Sequence, residues 1–152
     1  MLVRKASEMT ATSSLIERSV LVDTSAFYAM LDRNDQWHSA AENGFQLLAR
    51  EKRLLYTTNL VVAETYALAQ VRLGYAIALG WQAALDSLNM VFQNSGHHRR
   101  VRSLLERYQG QGFSYTDAFS FVTMEEAGIH IAFAFDRHFQ EYGWTMFPHT
   151  IS

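Results

Sequence analysis

Two runs of the chain are apolar at successive positions and then meet an acid. "VLV" (20–22) ends at Asp23, and "IAFAF" (131–135) ends at Asp136. A strand with one wet face alternates apolar and polar residues, whereas a strand covered by helices on both faces reads as a continuous apolar run. Covered sheets of that kind are built from parallel strands, because each return to the same sheet edge requires a crossover, usually a helix. Further short runs at "LLYTT" (54–58), "NMVFQ" (89–93) and "TMF" (145–147) read as strands, and residues 36–51, 60–73, 75–88, 98–108 and 117–127 carry apolar residues at helical spacing. The pattern predicts an α/β fold, a three-layer α/β/α sandwich with a mainly parallel central sheet.

The 152 residues are enough for one domain with a core of its own. Residues 1–18 are polar and rich in Ser and Thr and read as an N-terminal leader or extension; residues 19–152 read as a single domain, without linker, repeat or low-complexity run. With no cysteine, a disulfide framework and a thiolate metal site are excluded. The leader lacks the apolar core of a signal peptide, and no segment approaches the roughly 18 apolar residues of a membrane span, so the expectation is a soluble cytoplasmic protein.

Four acids interrupt apolar contexts. Asp23 and Asp136 follow buried strands, at the carboxyl edge where open parallel sheets bind ligands. In "NLVVAETYALAQV" a helical projection aligns Glu64 with Leu60, Leu68 and Val71, placing a carboxylate on a face expected to pack. In "TDAFSFVTMEEAG" the same projection aligns Asp117 with Phe121, Met124 and Gly128, with Thr116 as N-cap and Asp117 in the first turn. Each acid has a bland role when taken singly: Asp23 a cap, Asp117 a first-turn acid, Glu64 a partner for an arginine, Asp136 a turn residue. Four such interruptions in one chain favour a shared site, since an unpaired buried carboxylate is costly. Carboxylates that crowd together repel unless a divalent cation sits among them. Oxygen ligation without Cys or a His pair points to Mg²⁺ or Mn²⁺, and an acidic pocket around such an ion suits phosphodiester chemistry.

At these residues the chain resembles the PIN-domain nucleases and is most similar to the VapC-type toxins of bacterial and archaeal toxin–antitoxin pairs. The matching segments are "VLVDTSAFYAMLDRNDQWHSAA", "TTNLVVAETYAL", "SYTDAFSFVTMEEAGI" and "AFAFDRHFQEYGW", in family order over residues 20 to 144. The resemblance implies a metal-dependent endoribonuclease with Asp23, Glu64, Asp117 and Asp136 as its catalytic and metal-holding acids. Thr24 and Ser25 match the small hydroxyl residues after the first acid, and Thr116 the one before the third; they would orient carboxylates or waters. Asp136 is followed by Arg137 where some relatives carry a further acid, which leaves one or two metal ions open. The resemblance also implies an RNA substrate, a protein antitoxin whose tail reaches the acidic pocket, and a homodimer.

The net charge of −2 means that nucleic-acid binding requires a local basic patch. "HHRRVRSLLERY" offers one: Arg99, Arg100 and Arg102, with Arg107, are candidates for RNA phosphates, and a solvated helix face is the equal alternative. His97 and His98 are adjacent, do not converge on one metal, and read as surface residues; His38 reads as structural or exposed. Trp37, Phe27 and Tyr28 are aromatics that stack bases or fill the core, with the core favoured. P-loop, G-x-S-x-G and H-E-x-x-H motifs are absent, which excludes those chemistries. The competing readings are a catalytically silent relative that binds RNA or a protein, and a small-molecule phosphatase, which lacks the expected D-x-D pair.

Overall fold

Successive side chains of "SVLV" are buried on both faces of one strand. Val20 and Val22 enter one core with Phe27, Ala41, Val61 and Trp81, while Leu21 enters a second with Val101, Ala118, Phe121 and Phe139. The structure is a computed structural model that describes residues 18–149. Five strands, β1 (Ser19–Val22), β2 (Leu54–Thr58), β3 (Asn89–Val91), β4 (Ile131–Phe133) and β5 (Thr145–Phe147), form one sheet in the order β3-β2-β1-β4-β5. Every neighbouring pair is parallel, with Leu21 facing Tyr56 on one side and Ala132 on the other.

Seven α-helices connect the strands among the described residues: α1 (Thr24–Leu31), α2 (His38–Arg50), α3 (Asn59–Leu73), α4 (Tyr75–Trp81), α5 (Ser95–Arg107), α6 (Tyr115–Ala127) and α7 (His138–Tyr142). The first core draws on α1 to α4 and the second on α5 to α7, giving the α/β/α sandwich expected from the unbroken apolar strands. α2 lies close on the sheet at Gly44, where an added Cβ would stand 2.7 Å from Cζ of the buried Phe133.

The expected helix over 75–88 divides in two. α4 ends at the buried Trp81, and residues 82–87 continue as a 3₁₀ turn with no buried side chain to hold an α-helical face. α5 begins three residues before the expected start, where Asn94 and His97 form a reciprocal capping box. The expected leader lies outside the described residues, apart from Arg18. No described helix is long and apolar enough to cross a membrane.

Candidate metal and phosphodiester site

β1 occupies the centre of the sheet, with β2 and β3 to one side and β4 and β5 to the other, so the chain reverses its winding direction beside it. That switch opens a crevice beyond the carboxyl ends of β1 and β4. Asp23 stands at its floor, its backbone N–H donating to the carbonyl of Phe133 at 3.0 Å. It also caps α1: Oδ2 accepts from the Ser25 N–H at 3.1 Å and from the Ser25 hydroxyl at 2.6 Å. The Ser25 hydroxyl oxygen in turn accepts from the Phe135 N–H at 2.9 Å, tying Asp23 to the loop that leaves β4.

Asp117 arrives from the opposite core. It is the third residue of α6, and it forms a capping box with Ser114: the Asp117 N–H donates to the Ser114 hydroxyl, and Oδ2 of Asp117 accepts from the Ser114 N–H, both at 2.9 Å. Ser114, not Thr116, is therefore the cap; Thr116 lies half-buried inside the first turn. Phe113, just before the cap, packs edge-on against Phe121. Asp136 sits in the loop after β4, its Oδ1 accepting from the His138 N–H at 2.9 Å.

Asp23, Glu64, Asp117 and Asp136 all line one cavity of about 270 Å³. Thr24, Ser25, Tyr28, Asp35, Trp37, Leu68 and Phe135 complete its wall among the described residues, where five carboxylates face a space lined by no Lys or Arg. Glu64 reaches it from an unexpected direction. The packed face of α3 is Val61, Thr65 and Ala69, and Glu64 is exposed rather than set in an apolar stripe, with Val71 on the same side open to solvent. The apolar residues of this helix surround its axis, so the projection identified the wrong face as packed.

Charge crowding shows in the acid itself. Asp23 is 4% exposed, and its carboxyl is pushed up to about 7, chiefly by burial. The two Ser25 hydrogen bonds oppose the rise, while Asp117 and Asp136 add to it. A divalent cation would reverse that balance, and an oxygen-rich wall without resident cations fits one.

Sequence reasoning missed His138. Its Nδ1 lies 2.8 Å from Oδ2 of Asp117 and 3.4 Å from Oδ1 of Asp136. Burial disfavours the imidazolium, but the Asp117 hydrogen bond and the charges of Asp136, Asp117 and Glu141 outweigh it and hold the imidazole above its ordinary range. Asp117, Asp136 and His138 each offer a ligand atom within 4.8 Å of the others. The available signal was local: "DRH" places a histidine two residues after an acid that closes a buried strand.

Other candidates resolve individually. Phe27 is core, whereas Tyr28 and Trp37 line the cavity. The buried hydroxyl of Thr24 has no hydrogen-bond partner among the described residues. His97 is not a free surface residue: its ring accepts the Asn94 N–H, contacts Glu126 at 2.9 Å and packs against Phe119. His38 is structural, its Nδ1 bonded to the Ala29 carbonyl at 2.8 Å. Arg100 pairs with Glu125 and Glu126, whereas Arg99 and Arg102 are exposed and form no ion pair among the described residues. Arg99, Arg100 and Arg107 line a second cavity that shares no residue with the acidic one.

A doubly covered parallel sheet with crowded carboxylates at its switch point defines a class, the α/β proteins whose acidic pocket suits a divalent cation and a phosphate. Within that class the chain belongs to the PIN-domain family, whose pattern matches residues 20–144. It is 30% identical over 129 residues to the 23S rRNA-specific endonuclease VapC20 of Mycobacterium tuberculosis, in strain CDC 1551 / Oshkosh and in strain ATCC 25618 / H37Rv, covering 82% of this chain and 95% of that protein. The crystal structure of M. tuberculosis VapC20, a toxin that cleaves the sarcin-ricin loop, matches with a TM-score of 0.76 at 27% identity, over 83% of this chain and 96% of that one. PAE2754 from Pyrobaculum aerophilum shares the fold at a TM-score of 0.50 and 19% identity, over 82% of each chain.

Proposed function

We propose that this chain is an endoribonuclease that hydrolyses RNA phosphodiester bonds with the help of Mg²⁺ or Mn²⁺, and that it is the toxin of a toxin–antitoxin pair. The observation that carries this reading is the convergence of Asp23, Glu64, Asp117 and Asp136, from four separate stretches, on one cavity with no basic side chain in its wall among the described residues. Kinship with VapC20 supports RNA as the substrate, and structured ribosomal RNA is the first to try.

Asp23, Asp117 and Asp136 would hold the cation, and Glu64 stands on the open side of the cavity, placed to orient a water and take its proton. A bound divalent ion supplies stabilisation of charge gathering on phosphate oxygens and lowers the pKa of a water. Ser25 fixes the Asp23 carboxylate through two hydrogen bonds, and His138 fixes that of Asp117. Thr24 and Thr116, beside the first and third acids, would orient waters. Arg99 and Arg102, exposed on α5, would hold RNA phosphates away from the acids, while Arg100 is engaged by Glu125 and Glu126. A basic side chain from an antitoxin would be the natural occupant of the cavity in the silenced state. The apolar side chains exposed on α3 and α4, among them Val71, Tyr75, Ile77 and Leu79, support association into a homodimer, which light scattering would detect.

The test is cleavage of ribosomal RNA by the purified protein with Mg²⁺ or Mn²⁺, with EDTA, and with the Asp117→Asn variant, reading the positions of new RNA ends. Discrete cuts that need the metal and Asp117 are expected. Cuts that persist at the same rate in Asp117→Asn would refute the proposal.

A further inference from the structure

Trp37 is a large apolar side chain in an odd place. It is 37% exposed, yet it belongs to the wall of the acidic cavity together with Asp23, Asp117 and Asp136. Its indole lies flat on Phe135, with ring centroids 5.3 Å apart and planes within 4° of parallel. One face of the indole is therefore covered, and its exposure falls on the outer face and edges. Phe135 is itself braced edge-on by the buried Phe133.

The backbone holds this ring in position. The Trp37 N–H donates to Oδ1 of Asp35 at 2.8 Å, and its carbonyl accepts from the Ala41 N–H at 2.8 Å as the N-cap of α2. The Phe135 N–H donates to the Ser25 hydroxyl, which donates to Asp23. Phe135, the inner half of the platform, is thus tied to Asp23 at the cavity floor by one chain of hydrogen bonds. An exposed, rigid aromatic plane beside a phosphate-directed site has the chemistry of a base-stacking surface.

We infer that Trp37, backed by Phe135, is the nucleobase subsite of this nuclease and selects an unpaired nucleotide next to the phosphate that is cut. The inference rests on the endoribonuclease reading and names the side chain that would hold the base; a base inside a helix is closed to it, because both of its faces are occupied by its neighbours. The acids would hold the phosphate end of the nucleotide through a bound cation, and the indole its base.

The test pairs Trp37→Ala and Trp37→Phe with the wild type. Removing a base-stacking aromatic costs roughly 5- to 150-fold in affinity, so KM for RNA should rise within that range in Trp37→Ala while kcat changes little, and Trp37→Phe should recover most of the loss. An RNA with an abasic ribose beside the cut should lose the same factor with the wild type and nothing further with Trp37→Ala. Independently, at least one of the four nucleoside 5′-monophosphates should quench tryptophan fluorescence in Mg²⁺, whereas ribose 5-phosphate should not, and Trp37→Ala should abolish the quenching. Unchanged KM in a folded Trp37→Ala, equal cleavage of the abasic RNA, or quenching that survives the substitution would overturn the subsite. Absence of any RNA cleavage by the wild type would instead overturn the nuclease reading, and the monophosphate titration would still decide whether Trp37 stacks a base.

Discussion

Replacing Asp23 by Asn should make the metal-free protein more stable while removing its response to metal. The buried carboxyl rises from 3.8 in the unfolded chain to about 7 in the fold. A raised folded pKa contributes stability that is fully present below 3.8 and is lost as pH climbs through about 7. At 1.36 kcal/mol per unit, ionised Asp23 costs the fold about 4 kcal/mol at pH 8 and less than half of that at pH 5. Asparagine keeps the cap on α1, since its carboxamide oxygen still accepts from Ser25. In EDTA at pH 8, Asp23→Asn should therefore melt on the order of 10 °C above the wild type, and the gap should narrow by pH 5. Adding Mg²⁺ or Mn²⁺ should raise the wild type at pH 8, by about 2.7 kcal/mol at a hundredfold excess over Kd, and leave the variant where it was. The readout is a set of thermal melts at two pH values with and without metal. A variant less stable than the wild type in EDTA at pH 8 would refute the argument, because the charge would then be held favourably rather than crowded.

Gly44→Ala should destabilise the fold despite adding a better helix former: the new methyl would sit 2.7 Å from the fully buried Phe133 ring, so overpacking of about 1–3 kcal/mol exceeds the ~1 kcal/mol helix gain, and a lower urea midpoint checks it. Ser114→Ala removes the cap of α6 and one brace of Asp117, with an expected loss of about 1 kcal/mol in stability and a fall in cleavage rate; full activity at matched temperature would remove Ser114 from the positioning role. The ring of His138 should titrate above 6.5 by NMR and move down in Asp117→Asn, since the hydrogen bond that the ring donates to that acid supports its protonation.

The sheet was readable because β1 and β4 are apolar on both faces, a pattern that only double coverage explains, and their terminal acids marked the functional edge. Asp117 was readable for a different reason, since it lines up with Phe121 and Met124 on a helix buried nearly all round. Glu64 was found for the wrong reason, as a supposed breach of the packed face when it is the exposed side of α3 that borders the cavity. His138 was passed over, and Trp37 was read first as core, because their settings depend on tertiary neighbours, Asp117 for one and Phe135 for the other, that lie 21 and 98 residues away in the chain. The α6 cap was misplaced by two residues because both Ser114 and Thr116 have capping chemistry, and only Ser114 stands three residues before Asp117, where the reciprocal capping box closes.

The bond between Ser25 and Phe135 spans 110 residues of sequence, because β1 stands beside β4 in the sheet. A growing polypeptide leaving the ribosome carries Asp23 and Glu64 long before Asp117 and Asp136 exist. Translation must therefore pass Asp136 before the acidic pocket is whole, and a chain broken off ahead of α6 would lack two of its carboxylates.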